Sequence, residues 1–400
     1  MQTKTKTKNW TSLRHQVIVR LLAPLFFCWT RLKYHVKVEK CPELKKRQCL
    51  IVMNHQTGFD QFFVSLAAYP RHVYFIASED IFSLGLLSKL LRWAVAPIPI
   101  KKQTTDVQAV RNCIKVAREG GTIALAPEGN RTFSGLPCYS NPAITPLVKK
   151  LGLPLAIFRI EGGYGIQPRW SDVCRKGKMR AYVSRIIEPE EYAELSKEEL
   201  YELLQKELYV DETKNHQLFH HKQLAQYIER AMYVCPWCGL SEFHSEQDVI
   251  TCKTCGRQIR YLPNQQLQGI DCDFPFPYVA QWYDYQESYV NQLDTSAHLE
   301  THLYRDAADF SLVEPYKRKV LLEENANITL YGNRLQAGDK TLFFDDISVI
   351  TVLGKNKLNI YHADALYQIK GDCRFNALKY MNIFYRHKNQ KAGSGDFLGI

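Results

Sequence analysis

The stretch that decides the fold of this chain is Ile51-Val-Met-Asn-His-Gln-Thr-Gly-Phe-Asp60. It opens with the end of a short apolar run, residues 49–53, which predicts a buried strand. Polar and small residues follow, and a second apolar run, residues 59–68, predicts a helix. Thr57 is the candidate N-cap of that helix, and Asp60 then occupies the capping-box position three residues further on. The stretch therefore predicts a strand, a tight turn and a helix.

His55 and Asp60 lie on either side of this turn, and their placement has a chemical consequence. On one continuous helix, side chains five residues apart would lie on different faces. A turn between them lets the carboxylate reach the imidazole. A carboxylate on one ring nitrogen fixes the tautomer, so the other nitrogen is able to take a proton from a hydroxyl. The alternative is an ordinary buried histidine beside a helix cap.

Two further stretches weigh against that alternative. Ala126-Pro-Glu-Gly-Asn-Arg-Thr132 follows a strand-like run, and Pro97-Ile-Pro-Ile-Lys-Lys102 ends another. With Gly152-Leu-Pro-Leu-Ala-Ile157, their order and spacing over roughly residues 40–210 resemble the 1-acylglycerol-3-phosphate acyltransferase family. His55 and Asp60 match its His-x4-Asp motif, Glu128, Gly129 and Arg131 match its Glu-Gly-Thr-Arg motif, and Lys102 falls where the family usually has Arg.

The resemblance implies transfer of a fatty acyl group from acyl-CoA or acyl carrier protein to the free hydroxyl of 1-acylglycerol-3-phosphate. The product would be phosphatidic acid. His55 would deprotonate the hydroxyl and Asp60 would orient His55. Arg131 and Lys102 would hold the acceptor's phosphate, and Glu128 would orient Arg131 or an acceptor hydroxyl. Backbone N–H groups after Asn54 or near Gly129 are candidate oxyanion donors. The chain contains no G-x-S-x-G sequence to carry an acyl-enzyme.

Two other functions stay open at this stage. One is the same chemistry on glycerol-3-phosphate or another lyso-lipid. The other is a non-catalytic scaffold that binds membranes or proteins. The set of His55, Asp60, Glu128 and Arg131 argues against the scaffold, because a scaffold has no use for a general base beside a phosphate-binding cation.

The N-terminal region is strongly basic. The formal charge is +11, and residues 1–50 carry twelve Lys and Arg against two Glu. The apolar run 17–29 is too short, and too broken by Arg20 and Pro24, to span a bilayer. It is suited to the membrane interface, with a buried core helix as the alternative. A cleaved signal peptide is disfavoured, since no small-residue cleavage site follows. We expect a monotopic or peripheral protein on the cytoplasmic face of a membrane.

Four of the twelve cysteines form a metal-binding pattern. Cys235, Cys238, Cys252 and Cys255 have the spacing C-x2-C-x13-C-x2-C. This spacing predicts a structural Zn²⁺ ribbon with four thiolates and no open coordination position. Two disulfides are the alternative. A nucleic-acid partner is disfavoured because acidic residues offset the basic ones around the ribbon.

The C-terminal region changes to short alternating strands, which are followed by an amphipathic helix at 374–386. This pattern is similar to a pleckstrin-homology or GRAM-type module, by fold analogy alone. The predicted fold class is an α/β acyltransferase domain with a mixed sheet flanked by helices, then a small zinc ribbon and a small antiparallel β-barrel closed by a C-terminal helix. The predicted segments are a basic membrane-interface segment (1–36), the acyltransferase domain (37–212), a linker helix (213–232), the ribbon (233–262), a connecting helical segment (263–303), the barrel (304–390) and a tail (391–400).

Overall fold

A computed structural model describes residues 9–78, 82, 86–100, 106–313, 319–363 and 365–393. The chain forms two compact units. The first comprises residues 1–132, 137–166 and 177–212, and the second comprises 133–136, 167–176 and 213–400. Two short segments of the N-terminal half of the chain thus belong to the second unit.

The first unit is built on a mixed seven-stranded sheet in the order β1-β7-β6-β2-β5-β3-β4, in which only the β6–β7 pair is antiparallel. The strands are β1 (Val36–Val38), β2 (Leu50–Met53), β3 (Val73–Ser78), β4 (Ile98–Ile100), β5 (Thr122–Leu125), β6 (Leu155–Glu161) and β7 (Met179–Ile187). The helices are α1 (Leu13–Tyr34), α2 (Pro42–Lys46), α3 (Asp60–Ala68), α4 (Leu86–Ala94), α5 (Val107–Arg118), α6 (Ile144–Leu151), α7 (Gly163–Ile166), α8 (Pro189–Tyr192) and α9 (Lys197–Leu208). The prediction of a mixed sheet flanked by helices is confirmed.

The central strands explain why the sequence motifs meet. β2 and β5 are fully buried apolar strands that run parallel, with Val52 opposite Leu125. Their carboxyl ends therefore emerge at the same edge of the sheet. His55 follows two residues after β2, and Glu128 follows three residues after β5. Apolar residues of α5, α6 and α9, such as Val116 and Val148, cover one face of these strands.

Helix α1 differs from a core helix in what it exposes. Leu13, Leu21, Leu25 and Leu32 are each at least two-thirds exposed. Its N-terminal end is nevertheless fixed to the first unit, because Nε1 of Trp10 donates to the carbonyl of Ala96 (3.1 Å). Among the described helices, none is both long enough and apolar enough to cross a bilayer.

In its described residues, the second unit has three antiparallel sheets and two α-helices. Its largest sheet has seven strands in the order β17-β16-β15-β14-β20-β19-β18, and a four-stranded sheet has the order β10-β11-β12-β13. The strands are β8 (Val234–Cys235), β9 (Gly239–Leu240), β10 (Phe243–Glu246), β11 (Val249–Cys252), β12 (Gln258–Tyr261), β13 (Leu267–Ile270), β14 (Tyr304–Val313), β15 (Val320–Leu330), β16 (Arg334–Ala337), β17 (Lys340–Phe343), β18 (Ile347–Leu353), β19 (Lys357–His362) and β20 (Ala365–Gly371). The helices are α10 (Val279–Gln292) and α11 (Ala377–Ala392).

One continuous core joins the parts of the second unit that the sequence divides into ribbon and barrel. It includes Phe243 and Ile259 of the small sheet, Trp282 of α10, and Ile350 and Phe384 from β18 and α11. The seven-stranded sheet has β17 and β18 as its edges, so the described strands form a curled half-barrel. Closure of this barrel by the C-terminal helix stays a prediction.

The predicted linker helix at 213–232 is wrong. The segment holds only two short 3₁₀ turns, Glu212–Lys214 and Ile228–Arg230. Its backbone pairs with distant partners instead, for example through the amide of Phe219, which donates to the carbonyl of Pro263 (2.8 Å). Tyr227 has a positive φ of 64°, which a continuing helix does not allow.

Candidate active site

His55 and Asp60 form the centre of the site. Nδ1 of His55 lies 2.7 Å from Oδ2 of Asp60. The side chain of His55 is 25% exposed, whereas that of Asp60 is fully buried. Helix α3 begins at Asp60, and Phe59 occupies the N-cap position, so the prediction of Thr57 as the N-cap is wrong. The turn between strand and helix thus brings the two side chains together as the sequence predicts.

The hydrogen bonds of Asp60 decide the tautomer of His55. Its carboxylate accepts from the backbone N–H groups of Gln56 (2.8 Å) and Thr57 (2.9 Å) and from the hydroxyl of Thr57 (2.6 Å). Since Asp60 acts only as an acceptor in these bonds, Nδ1 of His55 carries the proton between them. Nε2 is then the basic nitrogen of the ring.

Glu128 reaches the same turn from β5. Oε1 accepts a hydrogen bond from the backbone N–H of His55 (3.1 Å), and Oε2 accepts one from the backbone N–H of Cys138 (2.9 Å). Burial raises the pKa of Glu128 to about 7, and the nearby charge of Asp60 adds to the rise, although the two backbone bonds oppose it. Glu128 therefore holds the backbone of His55 in place.

Gly129 turns the chain after Glu128. Its φ of +63° lies in the left-handed region, which a glycine adopts without strain. Its own N–H donates to the carbonyl of Ala126 (3.1 Å), and the next N–H, of Asn130, donates to the carbonyl of Glu128 (2.7 Å).

These bonds bear on the candidate oxyanion donors. The N–H groups after Asn54, those of His55, Gln56 and Thr57, already bond the carboxylates of Glu128 and Asp60. With Gly129 and Asn130, five of the amides near the site have acceptors inside the protein. These amides fix the structure of the turn. The expectation that they stabilise an oxyanion is therefore not supported.

Burial lowers the pKa of Arg131, and the charges of Asp60 and Tyr34 partly offset this effect. The structure thus joins three predicted residues by hydrogen bonds, His55, Asp60 and Glu128. Arg131 follows in the loop after Glu128, within electrostatic range of Asp60. Lys102 lies outside the described residues.

Sequence reasoning missed the residues that brace this turn. The side-chain amide of Asn54 bonds both backbone groups of Ile160, its Oδ1 accepting (2.8 Å) and its Nδ2 donating (2.9 Å). Oε1 of Gln56 accepts from the backbone N–H of Tyr164 (3.1 Å). A Cβ at Gly163 would lie 2.6 Å from the Cβ of Gln56, so the close approach requires glycine. These partners are more than a hundred residues apart, and no local pattern signals them.

The four cysteines of the second unit converge at a separate place. The ligand atoms of Cys235, Cys238, Cys252 and Cys255 all lie within 4.8 Å of one another. Each Cys-x2-Cys pair is followed by a glycine with positive φ, at 79° for Gly239 and 72° for Gly256. These turns let each pair of thiols face the other pair.

The sulfur positions fit a tetrahedral metal. The Sγ atoms of Cys235 and Cys255 are 3.8 Å apart, and those of Cys238 and Cys252 are 3.6 Å apart. A regular tetrahedron with the usual Zn–S bond has edges of ~3.8 Å. A disulfide needs about 2.05 Å between sulfurs, and the cysteines are free. The arrangement fits a four-thiolate metal ion and not the alternative of two disulfides.

The fold and the His–Asp site of the first unit define a class of protein. Residues 34–156 match the family model described as Acyltransferase, and this stretch contains every predicted residue of the candidate active site. The chain therefore carries a domain of the acyltransferase family.

Relatives with this domain carry a more particular name. The chain is 25% identical over 146 residues to the chloroplastic 1-acyl-sn-glycerol-3-phosphate acyltransferase of Brassica napus, covering 35% of this chain and 40% of that enzyme. It is 22% identical over 153 residues to the Bacillus subtilis enzyme of the same name, covering 38% and 73%. The crystal structure of the 1-acyl-sn-glycerophosphate acyltransferase of Thermotoga maritima is similar at a TM-score of 0.42 and 19% identity, over 48% of this chain and 78% of that one. The chain spans less than half the length of the Brassica relative.

Proposed function

We propose that this protein is an O-acyltransferase that moves a fatty acyl group from a thioester, acyl-CoA or acyl carrier protein, to the free hydroxyl of 1-acylglycerol-3-phosphate. The observation that carries the proposal is the bond between Nδ1 of His55 and Asp60, which leaves Nε2 as a base on a partly exposed ring. The acyltransferase relatives support the reaction class.

The reaction is a direct displacement. Nε2 of His55 takes the proton of the acceptor hydroxyl, and the oxygen attacks the carbonyl carbon of the thioester, so that a C–O bond forms. Asp60 stabilises the imidazolium through its bond to Nδ1. The tetrahedral intermediate then expels the thiolate as the C–S bond breaks, and the thiolate recovers the proton from Nε2. The products are phosphatidic acid and the free thiol of the donor.

Arg131 is the residue that we assign to the phosphate of the acceptor. A guanidinium is always charged and presents several N–H donors in a fixed plane, which suits a phosphomonoester. Lys102 is proposed as a second cation because of its place in the sequence motif. A phosphate-free lyso-lipid would leave these cations without their partner, so the pair favours a phosphate-bearing acceptor over lyso-lipids that lack a phosphomonoester.

The test is acyl transfer by the purified full chain. Radiolabelled acyl-CoA and acyl carrier protein would be offered with lysophosphatidic acid, and in parallel with lyso-lipids that lack a terminal phosphomonoester. We expect phosphatidic acid to form with the wild type and to be lost in His55→Ala. Activity on the phosphate-free acceptors alone would remove the assignment of Arg131 and Lys102. No transfer to any acceptor by well-folded protein would overturn the proposal in favour of the scaffold.

We also propose that α1 lies on the membrane surface that holds the lipid substrate. Its exposed apolar residues recur along one stripe, at Leu13, Val17, Leu21, Leu25 and Leu32. Such a stripe buries apolar area in the headgroup boundary, and the basic residues of the same segment suit anionic lipids.

For the four cysteines we propose a structural Zn²⁺. The four thiolates fill a tetrahedral shell, so no position stays open for a water or a substrate. A bound ion would hold the two Cys-x2-Cys turns together, and these belong to the single core of the second unit. The role that follows is stability of that unit, not chemistry.

A further inference from the structure

The chain leaves the first unit twice, and each departure begins close to the residues of the candidate active site. Residues 133–136 belong to the second unit, while the residues on both sides belong to the first. This segment starts two residues after Arg131. Residues 167–176 also belong to the second unit, and they directly follow α7, whose Tyr164 N–H bonds Gln56 beside His55.

Within the second unit, Arg169 and Phe133 tie the two segments to each other. The guanidinium of Arg169 lies over the ring of Phe133, 4.2 Å from its centroid. Both residues are 5% exposed. Nε of Arg169 donates to the carbonyl of Gly354 (3.0 Å), and Nη2 donates to the carbonyl of Val352 (2.9 Å). Arg169 thus connects Phe133 with the end of β18 and the turn after it.

The second segment is itself firmly held. Arg230, which is 2% exposed, bonds both carboxylate oxygens of Asp172 (2.8 and 3.0 Å) and the carbonyl of Trp170 (2.9 Å). Nζ of Lys355 lies 2.7 Å from Oδ1 of Asp172. The Trp170 side chain is fully buried. A charge-assisted network around the buried guanidinium of Arg230 fixes the backbone that carries Arg169.

The loop that contains Arg131 is therefore attached on both sides of that residue. In the first unit, Glu128 bonds the N–H groups of His55 and Cys138, which fixes the two ends of the stretch 128–138. In the second unit, Phe133 lies beneath Arg169 in the middle of the same stretch. Arg131 lies between these two attachments.

We propose that Arg169 and Phe133 are positioning residues for Arg131, so that the contact between them sets how the acceptor's phosphate is bound. The inference rests on the proposed function, because it assumes that Arg131 binds the phosphate. Without Arg169, the ring of Phe133 loses its contact with the guanidinium, and the backbone of the loop becomes more mobile at Phe133. A cation displaced by about 1 Å binds its anion poorly, and misplacements of this size cost enzymes up to about 10²-fold in rate.

The experiment compares full-length Arg169→Ala with the wild type, using Phe133→Leu as a second variant of the same contact. Arg175→Ala is the matched control. Arg175 is also buried and in the same segment, but its guanidinium stacks on Trp170 and Tyr261 (4.9 and 4.7 Å to the ring centroids). The two measurements are hydrogen exchange of the peptides covering 128–138, and the KM for lysophosphatidic acid beside the KM for the acyl donor.

We expect Arg169→Ala and Phe133→Leu to speed exchange in 128–138 and to raise the KM for lysophosphatidic acid about tenfold, while the donor KM stays within about threefold. Arg175→Ala should do neither. Unchanged exchange in both Phe133–Arg169 variants, equal exchange in all three variants, or faster exchange with an unchanged acceptor KM would overturn the inference. If the wild type transfers no acyl group, the proposed function fails, and the exchange comparison alone still decides whether Arg169 holds the loop.

Discussion

Glu128 supports His55 through the backbone, because its Oε1 accepts the His55 N–H at 3.1 Å. The resemblance implies a different partner for this carboxylate, namely Arg131 or an acceptor hydroxyl. Both of its oxygens instead bond main-chain groups, those of His55 and Cys138. The base of the reaction and the loop that carries Arg131 are thereby joined by one buried side chain.

This burial predicts how stability depends on pH. The pKa of Glu128 is raised from 4.5 to about 7. Between pH 4.5 and pH 7, the folded protein therefore keeps a proton on Glu128 that the unfolded chain has released. The stabilising contribution of this proton is complete below about pH 4.5 and is lost as pH rises through about 7. From pH 5 to pH 8 the free energy of unfolding of the first unit should therefore fall by about 2.5 kcal/mol from this group. Urea unfolding followed by tryptophan fluorescence measures it.

The variant Glu128→Gln removes the titrating group and should flatten this part of the pH dependence. Glu202→Gln, at an exposed carboxyl of α9, is the control and should keep the wild-type slope. If Glu128→Gln retains the full dependence of stability on pH, this dependence arises from other groups, and the prediction that Glu128 has a raised pKa is contradicted.

Asp60→Asn should lower turnover about 100-fold while leaving a folded protein. The asparagine amide has almost the same shape, but its NH₂ group would face N–H donors where the carboxylate accepts from Gln56, Thr57 and His55. The His55 ring then loses the bond that fixes its tautomer. Steady-state turnover and the thermal unfolding midpoint are the two measurements.

Asp106→Asn is the matched control for that substitution. Asp106 is also a helix-end aspartate, and its Oδ1 accepts from the N–H of Ala109 (2.9 Å) at the start of α5. Its replacement should change stability little, because asparagine caps a helix about as well as aspartate, and turnover should stay near that of the wild type. A turnover of Asp60→Asn within about threefold of the wild type would contradict the role of Asp60 in orienting His55.

Local sequence patterns specify some parts of this molecule, and contacts between distant residues specify others. The strand–turn–helix around His55 and the two Cys-x2-Cys turns have short-range patterns, and the sequence predicts both. The bond between Cys138 and Glu128 involves a backbone N–H, which has no residue preference to reveal it. The segment 213–232 was predicted as a helix from its composition, yet distant partners such as Pro263 decide its backbone. Tertiary contacts override weak local preference there.

Zinc removal should destabilise the whole second unit and not only the region around the cysteines. Glu242, one of the residues between the two cysteine pairs, has its Oε1 3.7 Å from Nζ of Lys379 in α11, and Oδ2 of Asp306 in β14 lies 2.7 Å from the same nitrogen. The side chain of Lys379 is 3% exposed, so its buried charge is stabilised by these two carboxylates. We expect about one Zn²⁺ per chain, and faster proteolysis of α11 after chelation.

Cys252→Ser tests the same point without a chelator, and Cys272→Ser is its control because Cys272 lies outside the four-cysteine group. The first variant should lose zinc, as measured by elemental analysis, and lower the thermal midpoint of the second unit. The second should retain both. Wild-type protein that contains no zinc while its four thiols are reduced would rule out the metal.

Helix α1 is expected to attach the protein to membranes through its exposed apolar stripe. Replacing Leu21 and Leu25 by Asp places two charges in the middle of the exposed apolar stripe, where the residues are 69% and 68% exposed. Because these side chains cover no core, the fold should survive. Binding to vesicles of phosphatidylcholine with an anionic lipid should fall at least about tenfold, since each charge opposes entry into the headgroup boundary.

Leu218→Asp, at an exposed leucine outside α1 (56% exposed), is the control and should bind vesicles as the wild type does. Co-sedimentation at two salt concentrations separates the apolar from the electrostatic part of binding. Equal vesicle binding by the α1 variant and the wild type would show that another surface meets the lipid.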